Sequence, residues 1–423
     1  MNLTGKETTK KYGRLALILF CLGFSFHIQA QNDTTVTINR RNDTYANKFK
    51  GDTADQRDVL DVVVKIFKPK HFTRSKLEPG NPSYIIVPGF YYSIPTGFAI
   101  TLNGSVVFYA SDYQFQNLST VFASASITQK SQRTISLYSN LFTKKNNWFF
   151  QGVAWLYDYS ESTYGLGTST PDSKENQLTY KYLRFYETIF KQVYPDVFLG
   201  IGYKYDYHYD ITEHGNKDGS VSDYYLYSNP DKHYSKSSGP SFDFAFDDRR
   251  NQINPRRGSF VDIAFSPKFT SLGSDYNWQY LRVDARKYFK LSANSNNILA
   301  FWTLDQFTFG KIPYLDLPST GWDDMQRSGR GYVQARYRGR DMLYLESEFR
   351  FKITHNGVLG AVLFANAQTF NTPTNNQFGQ ILPAAGGGLR VKLNKFTRTN
   401  LCIDYAVGAH GSSGLFVNLG EIF

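Results

Sequence analysis

The sequence predicts an all-β chain, a transmembrane antiparallel barrel of about 16 strands with a short N-terminal periplasmic tail or helix. Three observations carry this. The 423 residues include 31 Tyr, 35 Phe and 5 Trp, 17% aromatic in all, yet the mean hydropathy is negative. A barrel with an apolar outer face and a polar inner face combines the two. Period-two alternation runs for longer than a soluble sandwich strand needs. Beyond an export signal, no run of about 18 apolar residues offers a membrane-spanning helix. The 2 Cys, 33 Gly and 15 Pro exclude disulfide-stapled, collagenous and disordered classes.

Residues 1–30 read as a signal peptide. Lys6, Lys10, Lys11 and Arg14 form a basic start, Leu15 to Phe26 an apolar stretch too short to span, and Ala30 a cleavage site. The bulky Phe20 before Cys21 argues against lipoprotein processing. Removing this segment takes the net charge from +11 to +8, and what remains is spread along the chain, which does not suggest nucleic acid. Residues 31–81 form a periplasmic tail. The part to about residue 57 is polar and aperiodic, and Asp58 to Lys68 has helical character, with acids in its first turn and lysines at its end. That helix reads as the turn-in to the barrel or as a docking element.

Residues 82–423 carry the strands. From Val197 to Ile211 the odd positions are apolar or aromatic (Leu199, Ile201, Tyr203, Tyr205, Tyr207, Tyr209), while Lys204, Asp206, His208 and Asp210 fall on the even side. Leu345, Phe349, Phe351 and Ile353 alternate with Glu346, Glu348, Arg350 and Lys352, and Arg282, Asp284 and Arg286 repeat the pattern. About 340 residues at roughly 20–22 per strand and loop give about 16 strands. The polar stretches Gly165 to Gln177, Glu213 to Gly239 and Lys311 to Arg338 predict long extracellular loops; NNW and SANSNN predict short periplasmic turns. In the last strand Leu415, Val417, Leu419 and Phe423 are expected to face lipid, with Phe423 as a C-terminal insertion signal.

From Phe244 to Ile263, FAFDDRRNQINPRRGSFVDI resembles the Asp-Arg…Pro-x-x-Gly strand pair of the BamA/TamA superfamily of bacterial surface-antigen barrels, with Asp248, Arg249, Pro255 and Gly258 at the matching places. Some eighty residues on, Arg330-Gly331-Tyr332 is similar to the family's loop motif and is followed by a Glu-x-Arg strand, Glu348 to Arg350. GGGLRVKL and LCIDYAVG then arrive in the family's order, the latter with Asp404. The resemblance covers about 180 residues. It implies a lumen contact for Arg330 that matters for barrel integrity and activity.

The chemistry supports that contact on its own terms. Gly331 permits close backbone approach and Arg330 offers five donors, for which the inward-facing Glu346 and Glu348 and the polar-side Asp404 are acceptors. A charge-assisted contact with Glu348 is the specific expectation. Two departures stand out. Asn366 replaces the acid usual in the following strand, leaving Arg330 one partner fewer, and Gly329 replaces a β-branched residue. Only some fifty residues precede the first strand, too few for one periplasmic POTRA repeat.

The resemblance implies an outer-membrane barrel acting with partner proteins, an assembly barrel or lipoproteins, in assembly or translocation, or with a second copy in a homo-oligomer, surrounded by outer-membrane lipids. The alternative is an autonomous pore whose lumen is partly closed by the Arg330 loop. No metal-ligand spacing, cofactor motif or nucleophile elbow is present, and we expect no enzyme, metal or cofactor. His208, between Asp206 and Asp210 on the polar face, is the best candidate for rim catalysis, but the favoured reading of it is a satisfied lumen or loop histidine.

Overall fold

Sixteen strands follow one another in a single antiparallel sheet, each hydrogen-bonded to the next in chain order. The computed structural model describes residues 56–67, 81–93, 97–112, 116–228, 231–249, 251–292, 297–372 and 376–423. The predicted signal peptide and the polar part of the predicted tail lie outside them. The first eight strands are β1 (Ser83–Ser93), β2 (Gly97–Phe108), β3 (Ser119–Thr128), β4 (Arg133–Phe142), β5 (Trp148–Thr163), β6 (Asn176–Tyr194), β7 (Val197–Asn216) and β8 (Tyr234–Asp247). The rest are β9 (Gly258–Lys268), β10 (Trp278–Lys290), β11 (Ile298–Gly310), β12 (Met342–Lys352), β13 (Leu359–Phe370), β14 (Leu382–Asn394), β15 (Thr399–Gly408) and β16 (Ser413–Leu419).

Side-chain alternation sets the two faces. On β12 Tyr344, Glu346, Glu348 and Arg350 are buried inward while Leu345 is exposed outward; on β15 Asp404 and Ala406 point in, Tyr405 and Val407 out. Eleven residues, as in β12, at about 3.3 Å each and tilted by roughly 40°, cross close to 30 Å, the thickness of the hydrocarbon core. The exposed apolar face is therefore a lipid face. β1 and β16 lie beside each other where the sheet comes round, and among the described residues no backbone ladder joins them.

The three longest connections, β5–β6, β7–β8 and β11–β12, lie at one end of the barrel. Residues 164–175 and 311–341 are two of these loops and 217–228 with 231–233 belong to the third, whereas 143–147 is a turn at the opposite end; the predicted SANSNN turn lies largely outside the described residues. The β7–β8 loop is shorter than the sequence suggests, because β7 stays paired with β6 as far as Asn216 and with β8 as far as Tyr234.

β7 also corrects the predicted alternation. Asp210 adopts φ +53°, and the register with β6 shifts between the Thr179 and Lys181 pairs. This bulge turns Ile211 inward, 4% exposed, and leaves Asp210 outside, paired with Lys181 at 2.7 Å.

The predicted helix forms as α1 (Val59–Phe67). Asp58 Oδ1 accepts from Asp61 N at 3.0 Å and Asp61 Oδ2 from Asp58 N at 3.1 Å, a reciprocal cap. Lys395, in the β14–β15 turn, holds this cap: its backbone N donates to Asp58 at 2.8 Å and its Nζ to Asp61 at 2.8 Å. α1 is thus docked on the turn end of the barrel.

Candidate functional site

The loop 311–341 folds into the lumen rather than away from it. Its two limbs pair with each other, Thr320 N donating to Tyr337 O at 3.0 Å and Ala335 N to Thr320 O at 2.8 Å. Arg330, 1% exposed, sits at its tip. The guanidinium donates through Nη1 to Asp404 Oδ2 at 2.7 Å and through Nη2 to both Glu346 and Glu348. It also lies over the Phe364 ring, 3.5 Å from the centroid. Three predicted acidic partners from β12 and β15 therefore converge on one cation. Arg350 donates to Glu348 at 2.6 Å and Arg390 to Asp404 at 2.5 Å, so these two acids share their charge with a second arginine, while Glu346 accepts from the Tyr344 hydroxyl.

The neighbours of Arg330 explain how the loop approaches the wall. Gly331 has φ +104°, and a Cβ there would come 2.7 Å from Ala384 Cβ. Tyr332 donates its hydroxyl to Pro383 O at 2.6 Å and accepts from Ala409 N at 3.0 Å. Asn366 makes a contact the sequence did not suggest: its Nδ2 donates to the Arg330 carbonyl at 2.9 Å. An amide can supply that donor; an ionised carboxylate cannot.

A second anchor has no counterpart in the sequence motifs. Arg338, also 1% exposed, donates to Glu161 on β5 at 2.5 Å and to the Tyr314 carbonyl at 3.0 Å. Trp322 Nε1 donates to the other Glu161 oxygen at 2.6 Å. Asp324 of the loop bridges Arg184 of β6 at 3.3 Å and Arg282 of β10 at 2.5 Å. The loop thus spans the lumen from β12–β15 to β5–β6, a wall-to-wall strap. A polar residue on a strand and an arginine in a distant loop carry no pairing signal in a single sequence.

The Asp248–Gly258 segment forms the β8–β9 turn. Backbone N of Ser259 donates to the Asp248 carboxylate. Arg249 donates to Asp247 at 2.8 and 3.0 Å and lies 4.3 Å from the Phe260 centroid. Gly258 has φ +107°, and a Cβ there would stand 2.8 Å from Asp248 Oδ1. Pro255 is buried in the turn, which reaches across to the β14–β15 turn through Asn251 Nδ2 to Thr397 O at 3.2 Å.

Solved structures with similar folds include BamA from Haemophilus ducreyi lacking POTRA domains 1–3, 15% identical over 80% of this chain and 69% of that one, TM-score 0.49. CdiB from Escherichia coli is 11% identical over 80% of this chain and 61% of that one, TM-score 0.50. The fold of this chain is similar to that of the CdiB barrel. CdiB from Acinetobacter baumannii is 12% identical over 80% of this chain, TM-score 0.49, and this chain spans 60% of it. No protein-family model and no curated protein matches the chain.

One expected feature of the barrel is placed differently from what the sequence predicts. Phe423 does not face lipid. Gly420 adopts φ +85° after β16 ends, and the chain turns inward, so that Phe423 is 3% exposed, 5.2 Å from the Trp302 ring centroid. Glu421 follows it into the lumen and accepts from Arg390 Nε at 2.8 Å. His208 is 2% exposed and stacked on Tyr182 at 4.0 Å. Ser235 at 3.5 Å and Asp316 at 3.7 Å both approach its Nδ1. A relay would need the two partners on opposite ring nitrogens, so the arrangement is a packed lumen histidine and not a Ser-His-Asp triad. Below the loop a cavity of about 240 Å³ remains, with Phe142, Phe149 and Phe198 on one wall and Arg249, Arg282 and Arg286 on another.

Proposed function

We propose that this chain is an outer-membrane barrel, exported by its signal peptide, that acts as an accessory to the assembly or translocation of other outer-membrane proteins together with partner proteins. The observation that carries the reading is the strap: loop 311–341 is fixed by buried ion pairs to opposite walls, so the lumen is filled where a passive conduit would be open. A barrel of this fold with a filled lumen works through its lipid-facing surface and its edge between β1 and β16, not as a free pore. The reading assigns no catalysis to the chain.

Affinity purification of the tagged chain from native outer membranes in mild detergent tests it. The reading predicts co-purification of a POTRA-bearing assembly barrel or a lipoprotein in stoichiometric amount. Recovery of the chain by itself, with outer-membrane protein levels unchanged on its deletion, contradicts it.

A further inference from the structure

The lipid face of β4–β6 holds a carboxylate with nothing to pair with. Glu187 on β6 shares the outward register with Gly152 of β5 and Tyr203 of β7. Above and below it on β6 are the exposed Phe185 and Ile189, and on β7 the exposed Leu199 and Ile201. Glu187 therefore stands inside the apolar band. The Trp148–Lys191 pair, with the ammonium 4.5 Å from the ring centroid, marks the interface on the turn side. Gly152 is four residues further along β5 than Trp148, or about 13 Å of strand, which at a tilt of about 40° sets the carboxylate roughly 10 Å into the membrane.

Other outward charges are placed differently. Arg133, Asp158, Lys181 and Asp210 cluster toward the loop end, where Lys181 and Asp210 neutralise each other at 2.7 Å. Lys287 lies near the turn end of β10 and donates to Ser259 at 2.7 Å. Glu187 has neither a hydrogen bond nor an ion pair among the described residues. Its Oε2 and Ser139 Oγ of β4 instead converge over Gly152, lying 2.7 and 2.6 Å from where a Cβ on that residue would be. The result is a polar notch in the apolar face, in which the acid and the hydroxyl fold over the backbone of the buried Gly152. A charged group on a lipid face is costly, and such groups mark places where something other than lipid covers them.

We propose that the Ser139–Gly152–Glu187 notch is the docking site for a membrane-embedded partner protein that presents a lysine or arginine at this depth. Charge complementarity selects that occupant: an acid surrounded by hydrocarbon is satisfied by a cationic donor from a neighbouring protein, with the Ser139 hydroxyl beside it as a second polar partner. Neither lipid tails nor a like-charged Glu187 from a second copy supplies the cation.

The test is site-specific photocrosslinking in intact membranes, with a benzophenone amino acid at Ala154, beside the notch, and a control at Leu363 on the far side of the barrel. The proposal predicts an adduct with one other membrane protein at position 154 and not at 363. The crosslinked segment should carry Lys or Arg, and the yield should fall at least fivefold in Glu187→Leu. The Glu187 side chain faces outward, so folding, checked by heat-modifiable migration, stays intact. An adduct whose yield is unchanged by Glu187→Leu, an adduct only with a second copy of this chain, or labelling of lipid alone would each overturn the proposal.

Discussion

Arg338 and Glu161, 177 positions apart in the chain, meet at 2.5 Å inside the barrel and join the returning limb of loop 311–341 to the wall opposite the Arg330 cluster. Either residue alone would be an uncompensated charge in a site almost closed to water. Breaking one partner of such a pair costs about 3–5 kcal/mol. Arg338→Met and Glu161→Gln should each lower the unfolding free energy of the refolded barrel, measured by urea titration, by an amount in that range, and the double variant should cost clearly less than the two singles together. A double-mutant cycle showing additivity would mean that the two residues do not act as a pair.

At Arg330 the prediction separates charge from shape. Arg330→Ala strands Glu346, Glu348 and Asp404, whereas Arg330→Lys keeps the charge but cannot reach three acids with a planar fork. Thermal unfolding followed by heat-modifiable migration should rank wild type above Lys and Lys above Ala. Asn366→Asp, which removes the donor to the Arg330 carbonyl, should also destabilise the barrel, by about 1–3 kcal/mol.

Gly258 offers a backbone test of the turn motif. With φ +107° and an oxygen of Asp248 only 2.8 Å from where an added methyl would sit, Gly258→Ala should lose about 1–3 kcal/mol. Gly219, at φ +73° with open space around it, should tolerate alanine with a smaller loss in the same unfolding assay.

Seating of the strap should also depend on pH through Asp316. Burial, then the nearby charge of Asp206, pushes its carboxyl up from 3.8 to about 7. Ser237 Oγ donates to it at 2.5 Å, and His208, Lys268 and Arg184 also face it. A carboxyl whose pKa is higher folded than unfolded contributes stability that is complete below about pH 4 and is lost as pH rises through about 7. The unfolding midpoint should therefore fall between pH 5 and pH 8, and Asp316→Asn should flatten that slope. An identical slope in the variant would assign the dependence elsewhere.

The strands are legible in the sequence because lipid outside and packed polar groups inside impose period two on nearly every segment, and Leu345 to Arg350 follows it without exception. Arg330 is legible because a glycine and an aromatic follow it and acids of the right parity lie downstream. Asp210 breaks the parity because a single inserted residue reverses every face beyond it, which no local composition shows. Phe423 is misplaced by the pattern because alternation continues through Leu419 and only the positive φ of Gly420 ends it. Glu161 and Glu187 look alike in sequence; one faces an arginine and the other faces lipid, and only the register separates them.

Planar-bilayer recording of the purified barrel tests the filled lumen most directly. A strap anchored at both walls predicts a quiet baseline with the wild-type chain and stable openings in the Arg330→Ala, Arg338→Ala double variant, where both ends are free. Long-lived open steps from the wild-type barrel, equal in size to those of the variant, would contradict it.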